Sequence, residues 1–260
     1  MKKNKILVIS DLKKSTKTTL KSAISLSKLI EADIEFFHVK KPTEVVDSHN
    51  QLTAVRTINA TYRETENKIK TITSNYADKY DVNIHYDLII GNVKHELEGY
   101  FKASKPDIIV LGKRQSSAIK LIGDDIVSFI LKTYNGTVLI AGKEHTLEPK
   151  NILSLGILNP TPNSFKSKIL SELINKTETP IKTFNINNSK NNSIQSTANT
   201  VDFVFENGTN AVNSIANYIN KNKINMLYID RSKTNSLTNN FKQFLKAIDI
   251  SVLFTNNTQL

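Results

Sequence analysis

A chain of 260 residues is long enough for one large domain or two small ones, and its 39% hydrophobic residues suffice for a core. With 23% charged residues it is neither a disordered nor a fibrous sequence. The absence of cysteine excludes disulfides, thiolate nucleophiles and zinc sites built on sulfur.

The chain opens with Met1-Lys-Lys-Asn-Lys5 and the apolar run Ile6 to Ile9, which Ser10, Asp11, Lys13 and Lys14 interrupt before it reaches the length of a signal peptide. Ile6 to Ser10 is a predicted strand. Ser15 or Thr16 caps a predicted helix carrying Leu20, Ala23, Ile24 and Ser27 on one face. Ile34 to Val39 is a second strand. Val55, Ile58, Tyr62, Ile69, Ile72 and Tyr76 then recur at helical spacing, so a long helix with an apolar stripe is expected before the strand Asn83 to Ile89. A helix with Val93, Leu97 and Phe101 leads to the strand Asp107 to Leu111, and one with Ile126, Phe129 and Ile130 leads to the strand Thr137 to Ala141. Strands alternating with helices in this way predict parallel βαβ units.

Beyond the polar stretch Glu144 to Lys150 the pattern starts again. Lys5 to Ser10 is similar to Asn151 to Gly156, Gly91 to Leu97 to Gly208 to Ile215, Asp107 to Lys113 to Asn225 to Arg231, and Val138 to Ile140 to Val252 to Phe254. Four matches in one order indicate an internal repeat. This predicts a domain over residues 1–143, a linker over 144–150 and a shorter, degenerate copy over 151–260. In the copy the long helix is replaced by the Asn/Ser/Thr-rich Asn187 to Thr200, expected to be a loop.

These residues resemble the universal stress protein family in its tandem form. The resemblance rests on the first strand ending in Asp11, the second ending in His38-Val39, Gly91 before the third helix, Asp107-Ile-Ile-Val-Leu-Gly112, the loop to Gly123 and the strand Val138 to Ile140. It implies an α/β fold of two tandem doubly wound domains, each a five-stranded parallel sheet flanked by helices, of the adenine nucleotide alpha hydrolase-like type. ATP or another adenine nucleotide would lie across the carboxyl ends of the first and fourth strands, where the strand order reverses. There Asp11 would meet the adenosine and Val39 the base. The resemblance also implies pairing through the last strands, between two copies in a homodimer or within one chain, where Thr137 to Ala141 would cover Ser251 to Phe254.

The family's phosphate loop has the pattern G-x2-G-x9-G-[ST], in which glycines admit phosphate to the backbone. Gly112 and Gly123 are present, but Gln115 occupies the second glycine position and Asp124 the hydroxyl position, and the loop is two residues short. Asp124 and Asp125 are suited to capping the following helix with their own charge, which opposes a bound anion. Lys113 and Arg114 flank the loop as compensating cations. In the second copy Ile157 is expected at the place of Asp11, and Asp230 at that of Gly112.

Other chemistry has less support. Gly136 to Lys143 has the wrong spacing and a strand character for a Walker A loop. The five histidines have no metal spacing, and His38 at a strand end is expected to be a packed residue. No G-x-S-x-G elbow occurs. Lys14, Lys21 and Lys28 form one stripe of the first helix, expected to be a solvated face, and the Tyr62, Ile69, Tyr76 stripe is expected to be core. The net charge of +11, from 35 Lys and Arg against 24 Asp and Glu, is shared almost evenly by the two parts. With arginine scarce, it indicates a lysine-rich surface rather than a nucleic-acid partner. The reading is a cytoplasmic, non-enzymatic stress-response or regulatory binding protein acting on a protein partner, with no metal, no membrane segment and no assigned cofactor. The alternative is an ATP-binding switch using Asp11, Val39, Gly112, Arg114 and Gly123, with slow hydrolysis.

Overall fold

Ten β-strands form one sheet in the computed structural model, which describes residues 3–42, 51–113, 126–161, 164–187, 199–206, 211–231 and 241–256. In chain order the first half runs β1 (Asn4–Ile9), α1 (Thr16–Ile30), β2 (Ala32–Lys40), α2 (Gln51–Tyr80), β3 (Ile84–Ile90), α3 (Val93–Ser104), β4 (Ile108–Gly112), α4 (Ile126–Thr133) and β5 (Thr137–Ala141). The second half runs β6 (Leu155–Leu158), α5 (Lys168–Ile174), β7 (Ile181–Asn187), β8 (Thr200–Glu206), α6 (Ala211–Lys221), β9 (Met226–Asp230), α7 (Phe241–Ala247) and β10 (Ser251–Thr255). Local chemistry sets several boundaries. Glu31 ends α1 in the left-handed region, φ 51°, with its N–H closing on Ser27 O, and Asn92 starts α3 by accepting the His95 N–H.

The sheet order is β3-β2-β1-β4-β5-β10-β9-β6-β7-β8. Each half is a parallel five-stranded sheet with the same internal order, and the halves meet where β5 and β10 pair antiparallel, Leu139 opposite Leu253. This is the pairing expected of the last strands within one chain. Strands buried on both faces read as continuous apolar runs, and Val138, Leu139, Ile140, Val252, Leu253 and Phe254 are all buried. Cores lie on both faces of the sheet and cross the junction: Ile6, Leu20, Phe36 and Leu139 share one cluster with Leu155, Leu170, Tyr228 and Leu253. Leu147, in the polar stretch between the halves, is buried in the same cluster, and Glu148 takes a 2.6 Å ion pair from Lys21.

Pairing registers revise the expected repeat alignment. Ile6 pairs with Ile108 and Leu155 with Met226, while Ile108 and Met226 hold the same positions against β5 and β10. Leu155 is therefore the counterpart of Ile6, and Ile157 sits inside its strand at the level of Val8, not at the place of Asp11. Pro160 is level with Asp11. Identical apolar runs allow a slip that only cross-strand pairing resolves.

Two stripes behave differently from expectation. Of Lys14, Lys21 and Lys28, only Lys14 points to solvent unpaired; Lys28 Nζ donates to the last carbonyl of α2, Tyr80 O, at 2.6 Å. Of the apolar stripe on α2, Ile69 is buried and Tyr76 half-buried, but Val55 and Tyr62 are 56% and 38% exposed. The 30-residue helix is about 45 Å long. The seven- and nine-residue strands β3 and β2 reach only about 23–30 Å, so its N-terminal part runs past the sheet.

The β7–β8 connection spans 188–199, against 41–83 between β2 and β3, and the strands it joins differ from their counterparts. Register places Thr183, Asn185 and Asp202 where the first half has Phe36, His38 and Tyr86. The Thr183 hydroxyl donates to the Asp202 carboxylate. Thr183 is buried, while Val204, opposite Asn185 on β8, is exposed, so this face of the second half mixes polar and apolar side chains. The stretch between β7 and β8, expected to be a loop, lies outside the described residues over 188–198.

Leu253→Ala removes a fully buried side chain at the junction and is expected to cost about 2–5 kcal/mol. Because the cluster spans both halves, urea unfolding followed by tyrosine fluorescence and far-UV circular dichroism should shift as one coincident transition; two separated transitions would show independent halves.

Candidate functional site

The carboxyl ends of β1, β2 and β4 converge where the strand order reverses, and Ser10, Asp11, His38, Val39 and Gly112 lie there. Ser10 extends the β1–β2 ladder by donating its N–H to Phe37 O at 3.2 Å. Its hydroxyl lies 2.8 Å from Thr16 Oγ1 and accepts the Leu12 N–H at 3.1 Å, while Leu12 turns the chain at φ 56°. The Asp11 carboxylate accepts the Lys13 N–H at 3.1 Å, an Asx-type turn leading into α1. His38 is buried and its Nδ1–H donates to Ser10 O at 2.7 Å, so it packs and orients as expected of a strand-end histidine. Val39 is half-buried beside Ile89.

Gly112 is required by packing against α1. A Cβ there would lie 2.3 Å from Thr19 Oγ1 and 2.9 Å from Ser15 Cβ, so the end of β4 closes directly onto the first turn of α1. The Thr19 side chain is fixed locally, since its hydroxyl donates back to Ser15 O at 2.7 Å. Gly91 has a similar packing reason: a Cβ would sit 2.4 Å from the Glu96 carboxylate. Of the other sequence-predicted site residues, Arg114, Gln115, Gly123 and Asp124 lie outside the described residues, as does Asp125.

Lys113 departs from expectation. Its ammonium reaches into the second half, where it donates to the carbonyls of Ile248 and Ile250 just after α7. Asp249 sits between those carbonyls, accepting the Lys143 and Glu144 N–H groups at 2.8 and 3.2 Å, with His145 Nδ1 at 3.4 Å. A carboxylate holding two backbone donors and facing Lys113 ionises more readily than usual, and its pKa is lowered despite partial burial. The second half answers with Arg231, whose guanidinium donates to Leu131 O at 3.3 Å, Tyr134 O at 2.9 Å and Gly136 O at the end of α4. A cation at a helix carboxyl end meets orphan carbonyls and the negative pole of the dipole.

In the second half Asn159 stands at the place of Ser10. Asn159, at φ 45°, donates its N–H to Phe184 O at 2.8 Å and accepts the Ile186 N–H on its amide oxygen at 2.8 Å. Asp230 stands buried at the place of Gly112, as expected. Gly136 precedes the buried strand β5, whose extended backbone cannot form a phosphate loop. Among the described residues, no group of three or more His, Asp or Glu could hold a metal ion, and no helix is long and apolar enough to cross a membrane. The junction residues Lys113, Arg231 and Asp249 were not singled out from sequence as a set. The signal was there in part, since the repeat aligns Lys113 with Arg231.

Burial pushes the Lys113 amine down to about 8, with Lys143 adding to the lowering and Asp249 opposing it. The unfolded chain returns it to its ordinary 10.5, so between about 8 and 10.5 the unfolded state binds more protons and stability should rise with pH. Lys113→Met is expected to flatten this rise in urea midpoints measured across that window; an unchanged slope would assign the rise to other groups.

Residues 3–141 match the model of the universal stress protein family. Among solved structures, a universal stress protein from Archaeoglobus fulgidus DSM 4304 superposes at TM-score 0.71 with 14% identity, covering 97% of this chain and 96% of its own. A functionally unknown protein from Pseudomonas aeruginosa PAO1 superposes at TM-score 0.56 with 11% identity, covering 97% and 92%. No curated protein matches by sequence. At such identities the superpositions speak for the shared fold, a helix-flanked, mostly parallel sheet along the whole chain, while the family match rests on the first half. The strand order around Asp11 and Gly112 and the match over residues 3–141 agree, and the chain belongs to the universal stress protein family.

Proposed function

We propose that this chain is a non-enzymatic regulatory binding protein of the stress response, in which the first-half nucleotide crevice has been turned to structural use. The observation that carries the reading is Lys113: the described cation at the mouth of the family's phosphate loop donates to carbonyls of the second half instead of facing a ligand. Three further features support it. Gly112 has a packing reason in Ser15 and Thr19, Asp11 holds the turn into α1, and the loop sequence carries Gln115 and Asp124 in place of glycine and hydroxyl. A phosphate arriving there would meet a carboxylate at the helix start and lack the amine that sits across the junction. The partner in this reading is a protein, and the chain works in the cytoplasm.

A second reading is an ATP-binding switch. It is favoured by the convergence of Asp11, Val39 and Gly112 at the reversal of strand order, which is where doubly wound sheets hold ligands. Calorimetric titration with ATP and Mg²⁺ separates the two. The wild-type chain is expected to give no binding at micromolar levels, and the Gln115→Gly, Asp124→Ser double variant to gain it. Micromolar binding by the wild type would establish the switch and overturn the first reading.

A further inference from the structure

The two cations at the junction are counterparts of each other. Lys113 follows β4 as Arg231 follows β9, by the registers Ile108–Thr137 and Met226–Ser251. Their acceptors correspond as well: the Ile248 and Ile250 carbonyls stand to β10 as the Tyr134 and Gly136 carbonyls stand to β5. Each half therefore reaches across and ties the end of the other half's last helix, α7 in one direction and α4 in the other.

The exchange is not symmetric in charge. The residue between the two acceptor carbonyls is Asp249 on the second half and Asn135 on the first. The carboxylate lies on the side that receives Lys113, a compact, strongly hydrated ammonium that loses much when buried. Arg231 holds a delocalised charge, its planar fork reaches three carbonyls, and the acid beside it is Asp230 of its own half rather than a residue between those carbonyls. Among the described residues the charges that act on Lys113 are Asp249 and Lys143; the Asp249 carboxylate itself holds the Lys143 and Glu144 N–H groups and His145 Nδ1 and makes no ion-pair contact with the ammonium. A second copy of the first half brought to β5 would offer the carbonyls of Tyr134 and Gly136 with a neutral amide between them, and a buried ammonium beside Lys143 with no anion.

We propose that the junction is a heterotypic recognition surface, in which Asp249 is the acidic feature that the β5 edge and Lys113 require, so that the first half accepts the second half and not another copy of itself. The partner that fits this edge is an antiparallel strand preceded by a carboxylate two residues before its start, as Asp249 precedes Ser251. Main-chain pairing alone would accept any strand. The charge supplies the discrimination, as opposed charges do at protein interfaces.

A double-mutant cycle in the full chain tests this, with wild type, Asp249→Asn, Lys113→Met and the double variant compared by urea unfolding. Asp249→Asn is expected to lower the folding equilibrium constant by about ten- to a hundredfold, and most of that loss should vanish once Lys113 is methionine. An Asp249→Asn chain that fails to fold while the double variant folds is the same coupling in its extreme form. Equal losses with and without Lys113, or failure of both variants to fold, would overturn the proposal and leave Asp249 as a cap for the Lys143 and Glu144 amides. A second readout is the amine titration of Lys113 followed by NMR with ¹³C-labelled lysine. It should move to lower pH in Asp249→Asn, and an unmoved titration overturns the charge pairing.

Discussion

The antiparallel contact between β5 and β10 is the constraint on which the rest depends. Each five-stranded sheet would otherwise end in an apolar strand with a row of unpaired N–H and C=O groups, an invitation to pair with any passing edge. Closing each edge with the other places Val138 to Ala141 and Ser251 to Thr255 at the centre of a ten-stranded sheet, buried on both faces. Burial of that kind brings the ends of α4 and α7 against the opposite half, where their last carbonyls need donors. Lys113 and Arg231 supply them.

That demand reaches the candidate site. A chain has one side chain per position, and the lysine at the end of β4 cannot both hold the junction and meet a phosphate. Gly112 is drawn the same way: closing the end of β4 onto α1 leaves no space for a Cβ between Thr19 and Ser15. Asp11 and Gly112 have turn-forming and packing roles that account for their identity by themselves.

The halves have diverged on one face of the sheet. The first keeps α2, and the face beneath it is apolar, with Phe36, Tyr86 and Leu88. The second places Thr183, Asp202 and Val204 at the same register, and Val204 is 68% exposed. Two of those three positions have exchanged an aromatic ring for a polar side chain, Phe36 for Thr183 and Tyr86 for Asp202.

Much of the fold was legible in the sequence, because periodicity is a local property: 3.6-residue spacing marked the helices of the first half, apolar runs marked its strands, and the return of the same order indicated the repeat. The resemblance to the family also pointed to pairing through the last strands, in a homodimer or within one chain, and the structure has it within one chain. Register did not follow. Asn151 to Leu158 contains two overlapping apolar alignments, and only the pairing of Leu155 with Met226 decided between them, moving Ile157 into the strand and Pro160 to the place of Asp11. Nor could sequence give direction to a side chain: Lys113 beside a glycine loop reads as a phosphate ligand, whereas the carbonyls that hold it come from residues more than a hundred positions away. The sequence by itself determined the strands and helices of the first half and most of their core residues, because those depend on neighbours along the chain. The tertiary structure decided which partner each charge found, because electrostatic partners are chosen by distance in space and by the burial that distance imposes.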